Sequence, residues 1–246
     1  MYWQMAKRFR MFAGPNGSGK SSLIEQISDD FNMGYFVNAD NVKTSFKNHG
    51  FLDCNEYLPR QVSDQEWNTF ILNCDLENRL GTSYFPPIRL KENIMVAEDD
   101  INSYHAALIC EFFRIILLRC TSGFSFETVM SHPSKVSFLR HARSSGFKTY
   151  LYFICTQDPE INKSRVYIRH RKGGHYVSDE KIESRYYRSL ELLSSAFMEA
   201  DRAYVLDSSS KNRDVVLEKS GQEVSVYSDT IPEWVDKYLV KKLSFK

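Results

Sequence analysis

The sequence carries almost no excess charge of either sign: 32 lysines and arginines stand against 31 aspartates and glutamates in 246 residues, a formal net charge of +1. Such a balance gives no electrostatic footprint for nucleic acid and no field toward an acidic membrane, so neither is expected as a partner. Arginines and lysines have to be read for local roles. Long apolar runs are also missing. The most apolar stretch, residues 106–118, is interrupted by Glu111 and Arg114 and is too short and too charged to span a bilayer. Residues 1–10 hold no apolar run of the length that a secretory signal needs. Cysteine is sparse and unpatterned: Cys54, Cys74, Cys110, Cys120 and Cys155 are odd in number and contain no C-x-x-C pair. A disulfide framework or a zinc site is therefore not expected, and a reducing, cytoplasmic setting with buried thiols is. The six histidines lack metal-ligand spacing. There is no internal repeat and no low-complexity tract. What remains, 42% hydrophobic and 26% charged, is ordinary for a globular chain with room for one large α/β domain or a domain with a modest appendage.

Against that plain background one stretch stands out: Gly14-Pro15-Asn16-Gly17-Ser18-Gly19-Lys20-Ser21, followed by Ser22. It matches the phosphate-binding pattern G-x-x-x-x-G-K-[ST] at every fixed position. The residues before it, with Phe9, Met11 and Phe12, read as a short buried strand, and those after it, with Leu23, Ile24 and Ile27, as the first turns of a helix. Glycines let backbone N–H groups turn inward around a phosphate, and the helix N-terminus adds unpaired donors and partial positive charge. Lys20 is expected to reach the β- and γ-phosphates of ATP, and the Ser21 hydroxyl to ligate Mg²⁺.

The rest of the chain alternates. Residues 35–38 read as a second strand ending in Ala39-Asp40-Asn41. Over residues 47–100 the pattern dissolves into an inserted cap segment, with a possible helix at 65–80 carrying Trp67, Phe70, Ile71 and Cys74 on one face. Residues 103–120 read as a well-buried helix. Gly123-Phe124-Ser125-Phe126 reads as a strand ending at Glu127-Thr128, and residues 131–146 as a helix with Pro133 near its start. Residues 148–155 are the near-continuous apolar run of a central parallel strand. Asp158-Pro159 opens a helix that carries Arg165, Arg169, Arg171 and Lys172 and stops at Gly173-Gly174; Ser178 caps a long helix to about Ala200; residues 203–206 form a last strand before Asp207-Ser208. The expected fold is α/β, a three-layer P-loop NTPase or kinase domain over residues 1–210 with a parallel sheet. A C-terminal hairpin and helix over 211–246 are expected to pack on it.

Residues 14–21, Asn38-Ala39-Asp40, Ser125-Phe126-Glu127-Thr128 and a long stretch with Arg165, Arg169, Gly173-Gly174-His175, Val177, Arg185 and Arg188-Ser189-Leu190 together resemble the zeta-toxin family and its relatives described as ABC-type ATPases or kinases. The resemblance covers most of residues 7–210 and leaves the insertion and the tail outside. It implies an ATP- and Mg²⁺-dependent kinase that phosphorylates a hydroxyl acceptor; zeta toxins proper use a nucleotide sugar, and an antitoxin is the protein partner it implies. The family places its base after the second strand, which points to Asp40 as general base, against the alternative that Asp40 only caps a helix. Glu127 would hold a Mg²⁺-bound water or the substrate, or be a structural acid; Asn38, Thr128 and His175 are substrate-contact candidates. Arg165 and Arg169 are four apart on one helical face and suit a lid that neutralises a transferring phosphoryl. Arg171 and Arg185 are weaker candidates, and Arg188 is expected to pair with an acid. Asp207 imitates the acid of a nucleotide-hydrolase strand, but its position after the lid helix reads instead as a loop beside the adenine, with Ser208 as the contact. An ATP-hydrolysing switch is the alternative, although no Leu-Ser-Gly-Gly-type signature is present. A non-catalytic nucleotide-sensing module with a protein partner is a further one.

Overall fold

The computed structural model describes residues 7–76, 85–174 and 176–243. In chain order the elements are β1 (Arg8–Ala13), α1 (Lys20–Ser28), β2 (Tyr35–Val37), α2 (Ala39–His49), β3 (Phe51–Asp53), α3 (Asp64–Leu72), β4 (Ile88–Lys91), β5 (Ile94–Ala97), α4 (Ser103–Cys120) and β6 (Gly123–Thr128). They continue as α5 (Ser134–Ser144), β7 (Lys148–Cys155), α6 (Pro159–Arg171), α7 (Asp179–Glu191), α8 (Leu193–Glu199), β8 (Arg202–Asp207), β9 (Asp214–Ser220) and β10 (Glu223–Val226). A last helical segment runs through Glu233–Val235, the π-helical turn Asp236–Val240 and Lys241–Leu243. The fold is α/β with a mostly parallel sheet flanked by helices, as expected. It divides into two compact units, Met1–Met33 with Ser125–Lys246, and Gly34–Phe124.

In the first unit six strands lie in the order β10-β9-β8-β7-β1-β6. β1 pairs with β7 and β7 with β8, both parallel, with Ala13 level with Phe153 and Cys155 level with Asp207. Burial on both faces explains the unbroken apolar runs: Phe9, Met11, Phe12 and Ala13 are inaccessible, as are Leu151, Phe153, Ile154 and Cys155. Parallel pairing puts the ends of β1, β7 and β8 on one edge, the edge where such sheets bind ligands.

Some elements depart from the sequence-based expectation. The helix expected over 178–200 is two helices, α7 and α8, meeting at Leu192. The tail hairpin continues the sheet: β9 pairs antiparallel with β8. Its Lys219 is 5% exposed and donates to the carbonyls of Phe197 (2.9 Å), Met198 (2.8 Å) and Ala200 (2.7 Å). A cation at the C-terminal end of α8 satisfies carbonyls that have no partner within the helix. Burial first, and the Arg143 charge second, hold the Lys219 ammonium below its usual pKa.

The second unit explains why residues 47–100 were hard to read. They contain a three-stranded antiparallel sheet, order β3-β5-β4, of strands only three or four residues long. β4 and β5 are joined by Glu92 and Asn93, both at positive φ (51° and 67°), a two-residue turn whose twist suits a hairpin. Asn93 is buried; its Oδ1 accepts from the Val62 N–H at 2.9 Å and its Nδ2 donates to Asn55 Oδ1 at 2.7 Å. The helix expected over 65–80 is α3, opened by a Ser63–Glu66 capping box and closed at Asn73; residues 77–84 lie outside the described residues. Trp67 packs edge-to-face on Phe85 and Phe112 and tilted against Phe70, forming an aromatic cluster in the unit. Among the described residues no helix is long and apolar enough to cross a membrane.

Replacing Lys219 with methionine keeps the apolar stem and removes the donor to three carbonyls. The variant is expected to be less stable by about 1–3 kcal/mol in denaturant titration; unchanged stability would show that water serves those carbonyls equally well.

Candidate functional site

The loop after β1 is pressed against its neighbours so closely that two of its glycines have no room for a side chain. Gly14, at φ +143°, has the Ile154 carbonyl oxygen 1.9 Å from where a Cβ would stand; Gly17, at φ +76°, has the Asn162 carbonyl oxygen 2.6 Å away. Gly19, at φ +91°, takes the N-cap position of α1. Ser18 is inaccessible, and its Oγ has no hydrogen-bond partner among the described residues. Pro15 and Asn16 complete the turn: the Pro15 carbonyl accepts from the Ser18 N–H at 3.3 Å and from Lys20 Nζ at 3.0 Å.

Lys20 and Ser21 meet Glu127. Lys20 is 6% exposed, and its Nζ lies 3.7 Å from Glu127 Oε1. Ser21 Oγ donates to the same carboxylate at 3.3 and 3.4 Å. Glu127 stands near the end of β6, and the next residue, Thr128, accepts from the Met130 N–H at 3.1 Å, holding the turn at Met130 (φ 56°). A hydroxyl and a carboxylate together are hard oxygen donors of the kind Mg²⁺ takes, with substrate phosphates and water completing its shell. No cluster of three or more histidine, cysteine or acidic residues suited to a metal occurs among the described residues.

Behind the loop stands a polar pedestal that sequence reasoning missed. Asn162, on the first turn of α6, is inaccessible and donates from Nδ2 to the Asn16 carbonyl at 2.6 Å. Its Oδ1 accepts from Thr156 Oγ1, and the Thr156 carbonyl accepts from the Tyr186 hydroxyl at 2.7 Å. α6 itself starts as the sequence says, with Asp158 accepting from the Glu160 N–H at 2.8 Å and Pro159 in the first turn. The only sequence signal for Asn162 is a polar residue at a position facing inward, one turn before Arg165.

Arg165 and Arg169 separate. Arg165 donates to Ser208 Oγ and to the Ser210 carbonyl, both at 3.2 Å. Arg169 is exposed, its Cγ 2.7 Å from where a Cβ on Gly174 would stand. Arg171 is exposed and Arg185 half-buried. Arg188, expected to pair with an acid, donates instead to the Ser184 carbonyl of its own helix at 3.3 Å. Asp207 is occupied: Oδ1 accepts from the Ser209 N–H (2.8 Å), and Oδ2 from Ser209 Oγ (3.0 Å) and Trp234 Nε1 (2.6 Å). Its carboxylate thus ties the last helical segment to the end of β8. Ser208 stays in the site, with its N–H donating to the Cys155 carbonyl at 2.8 Å and its hydroxyl toward Arg165 and Gly19. Ser22 is exposed on the first turn of α1. Asn38 and Asp40 belong to the second unit. Asn38 is the N-cap of α2, its Oδ1 accepting from the Asp40 N–H at 2.7 Å, so the capping role falls to Asn38 and leaves Asp40 exposed in the first turn. His175 lies outside the described residues.

No family model matches the chain. A stretch of 64 residues is 31% identical to an uncharacterized protein of Haemophilus influenzae (strain ATCC 51907 / DSM 11121 / KW20 / Rd), covering 26% of this chain and 46% of that one, so the match spans about half of that relative's length. Among solved structures, the AvrRxo1-ORF1:AvrRxo1-ORF2 complex with sulphate ions matches 94% of this chain and 63% of its own, with TM-score 0.60 and 13% identity. The AvrRxo1-ORF1:-ORF2 structure with ATP matches 91% and 61%, with TM-score 0.58 and 12% identity. At these identities the likeness is one of fold, and this chain spans less than two thirds of the matched chains.

Asn162→Leu keeps the size of the side chain and removes both of its polar ties. We expect a loss of about 1–3 kcal/mol in thermal or denaturant unfolding, because the Asn16 end of the loop is released. Wild-type stability in the variant would show that the glycine contacts alone hold the loop.

Proposed function

We propose that the protein is an ATP- and Mg²⁺-dependent kinase that transfers the γ-phosphate to a hydroxyl of a small molecule. The observation that carries this reading is the convergence of Lys20, Ser21 and Glu127 at the mouth of the loop, with Arg165 reaching the same loop's neighbour Ser208. The backbone of residues 14–19 would receive the β-phosphate, Lys20 the β- and γ-phosphates, and Ser22 and Ser208 the remainder of the nucleotide. Ser21 and Glu127 would hold Mg²⁺, which when bound spreads the charge of the phosphate oxygens. Asp40 is assigned as general base: the acceptor oxygen bonds to the γ-phosphorus, the bond to the bridging oxygen of ADP breaks, and the hydroxyl proton passes to the Asp40 carboxylate. Arg165 and Arg169 would meet charge that develops on the transferring group, and Asn38, Thr128 and His175 would line the acceptor. That a neighbour of the same fold was solved with ATP supports the choice of nucleotide. That it is a complex of two proteins supports seeking a partner, an antitoxin in the terms of the resemblance.

The test is phosphorylation of a metabolite pool with labelled ATP, comparing wild type with Lys20→Ala and Asp40→Asn. Wild type should label an acceptor. Lys20→Ala should lose turnover while melting normally. Asp40→Asn should bind ATP as wild type does and lose transfer by about 10²-fold or more, the usual contribution of a positioned base. Turnover that yields ADP and free phosphate alone, whatever the acceptor pool, would reject the kinase reading in favour of an ATPase.

A further inference from the structure

Arg213, in the loop between β8 and β9, is not part of any motif in the sequence, yet it reaches the phosphate loop. Its Nη2 donates to the Gly19 carbonyl at 3.2 Å and its Nη1 to Gln26 Oε1 at 3.0 Å. Its Nε is shielded from solvent and has no hydrogen-bond partner among the described residues. The neighbouring cation is Arg165, whose partners are a hydroxyl and a carbonyl, Ser208 Oγ and Ser210 O. Both guanidiniums therefore sit at Gly19 and Ser208 among neutral acceptors, with no carboxylate paired to either among the described residues. Burial, and then the Arg165 charge, push the Arg213 guanidinium below its usual pKa. Two like charges held together with no counter-charge cost stability, and a phosphate chain bound beside both would offset that cost.

The side of α1 on which this pair stands says which anion. Gly19, Ser22 and Gln26 recur at helical spacing along one face of α1, the face that Arg213 spans. Ser21, which meets Glu127, stands about 140° around the helix from Gln26, which Arg213 contacts. The loop thus has an acidic flank at Ser21 and Glu127 and a basic flank at Arg213 and Arg165. A nucleotide with its β- and γ-phosphates at Lys20 and Ser21 has the inner end of its polyphosphate chain on the Gly19–Ser22 side.

We propose that Arg213 is a nucleotide-binding residue that grips the inner, nucleoside-proximal phosphate of a nucleoside triphosphate on the flank of the loop away from Glu127, with Arg165 beside it left to the transferring group. This rests on the phosphate loop being a nucleotide site, and goes beyond it in assigning a residue and a phosphate.

The experiment is calorimetric titration of ATP, inorganic tripolyphosphate and adenosine into wild type, Arg213→Ala, Arg213→Gln and Lys20→Ala, with the melting temperature of each ligand-free protein. Arg213→Gln keeps a polar side chain and removes the charge, so it serves if Arg213→Ala folds poorly. Both Arg213 variants are expected to bind ATP and tripolyphosphate about tenfold or more weakly and adenosine unchanged. Ligand-free Arg213→Gln should melt no lower than wild type, because an uncompensated cation has been removed. ATP affinity unchanged in the Arg213 variants but lost in Lys20→Ala overturns the proposal and leaves the nucleotide site standing. A lowered melting temperature with unchanged affinity overturns it too, making Arg213 a structural tie. An adenosine affinity that falls as much as that of ATP moves Arg213 to the base and overturns the phosphate assignment. Failure of wild type to bind ATP, or wild-type ATP affinity in Lys20→Ala, instead rejects the reading of the loop itself.

Discussion

The structure of the site depends on a contact in which side chains are excluded: backbone against backbone at Gly14 and Gly17. With the Ile154 carbonyl 1.9 Å from a would-be Cβ on Gly14, the loop lies directly on the end of β7, and with the Asn162 carbonyl 2.6 Å from Gly17 it lies directly on the start of α6. Any L-residue at either glycine meets both a backbone clash and an unfavourable positive φ. Those two contacts fix where α1 begins and therefore where Lys20 and Ser21 stand relative to Glu127.

The same packing turns a strand order into chemistry. β7 lies between β1 and β8, so the loop from β1, Cys155 and Thr156 from β7, and Asp207 and Ser208 from β8 arrive at one edge. Each has a separate duty there. Thr156 carries Asn162, Asp207 carries Trp234, and Ser208 carries Arg165. Asp207 shows why an acid at the end of an apolar strand is an ambiguous sign. With the N–H and hydroxyl of Ser209 and an indole N–H already bonded to it, its carboxylate is committed to holding the loop after β8 and the C-terminal segment.

Much of this was legible in the sequence where a single local rule sufficed. The glycine-rich loop between strand and helix, the doubly buried strands β1 and β7, the Asp158-Pro159 helix start and the α4 helix follow from fixed spacings or from apolar runs of decisive length. Glu127 was legible as the end of a strand, and its meeting with Ser21 bears on the metal-site expectation. The β3-β5-β4 sheet was not legible, because strands of three or four residues carry too few alternations to register and the turn at Glu92-Asn93 lacks a glycine. Asn162 and Arg213 were hidden for a different reason. Their roles come from tertiary contacts to residues 146 and 194 positions away, and nothing local marks a polar residue that serves another element's backbone. Lys219 belongs to the same group.

The contrast between Arg165 and Arg169 follows from where α6 is held. Asn162 pins the first turn of the helix to the glycine-rich loop, and Arg165 is just under one turn beyond that anchor, so its reach to Ser208 and Ser210 is set by a rigid element. Arg169 stands a further turn out, exposed, next to the Gly173-Gly174 end where Gly173 adopts φ +88°. Two arginines on one face of one helix are therefore unequal: the inner one is preorganised against the loop that serves the nucleotide in our reading, and the outer one has no comparable fixed acceptor among the described residues. Preorganised charge stabilises a developing negative charge without the cost of reorienting at the moment of transfer. On that ground our reading gives the electrostatic work on a phosphate chain to the inner arginine, whose acceptors are fixed, before the exposed outer one.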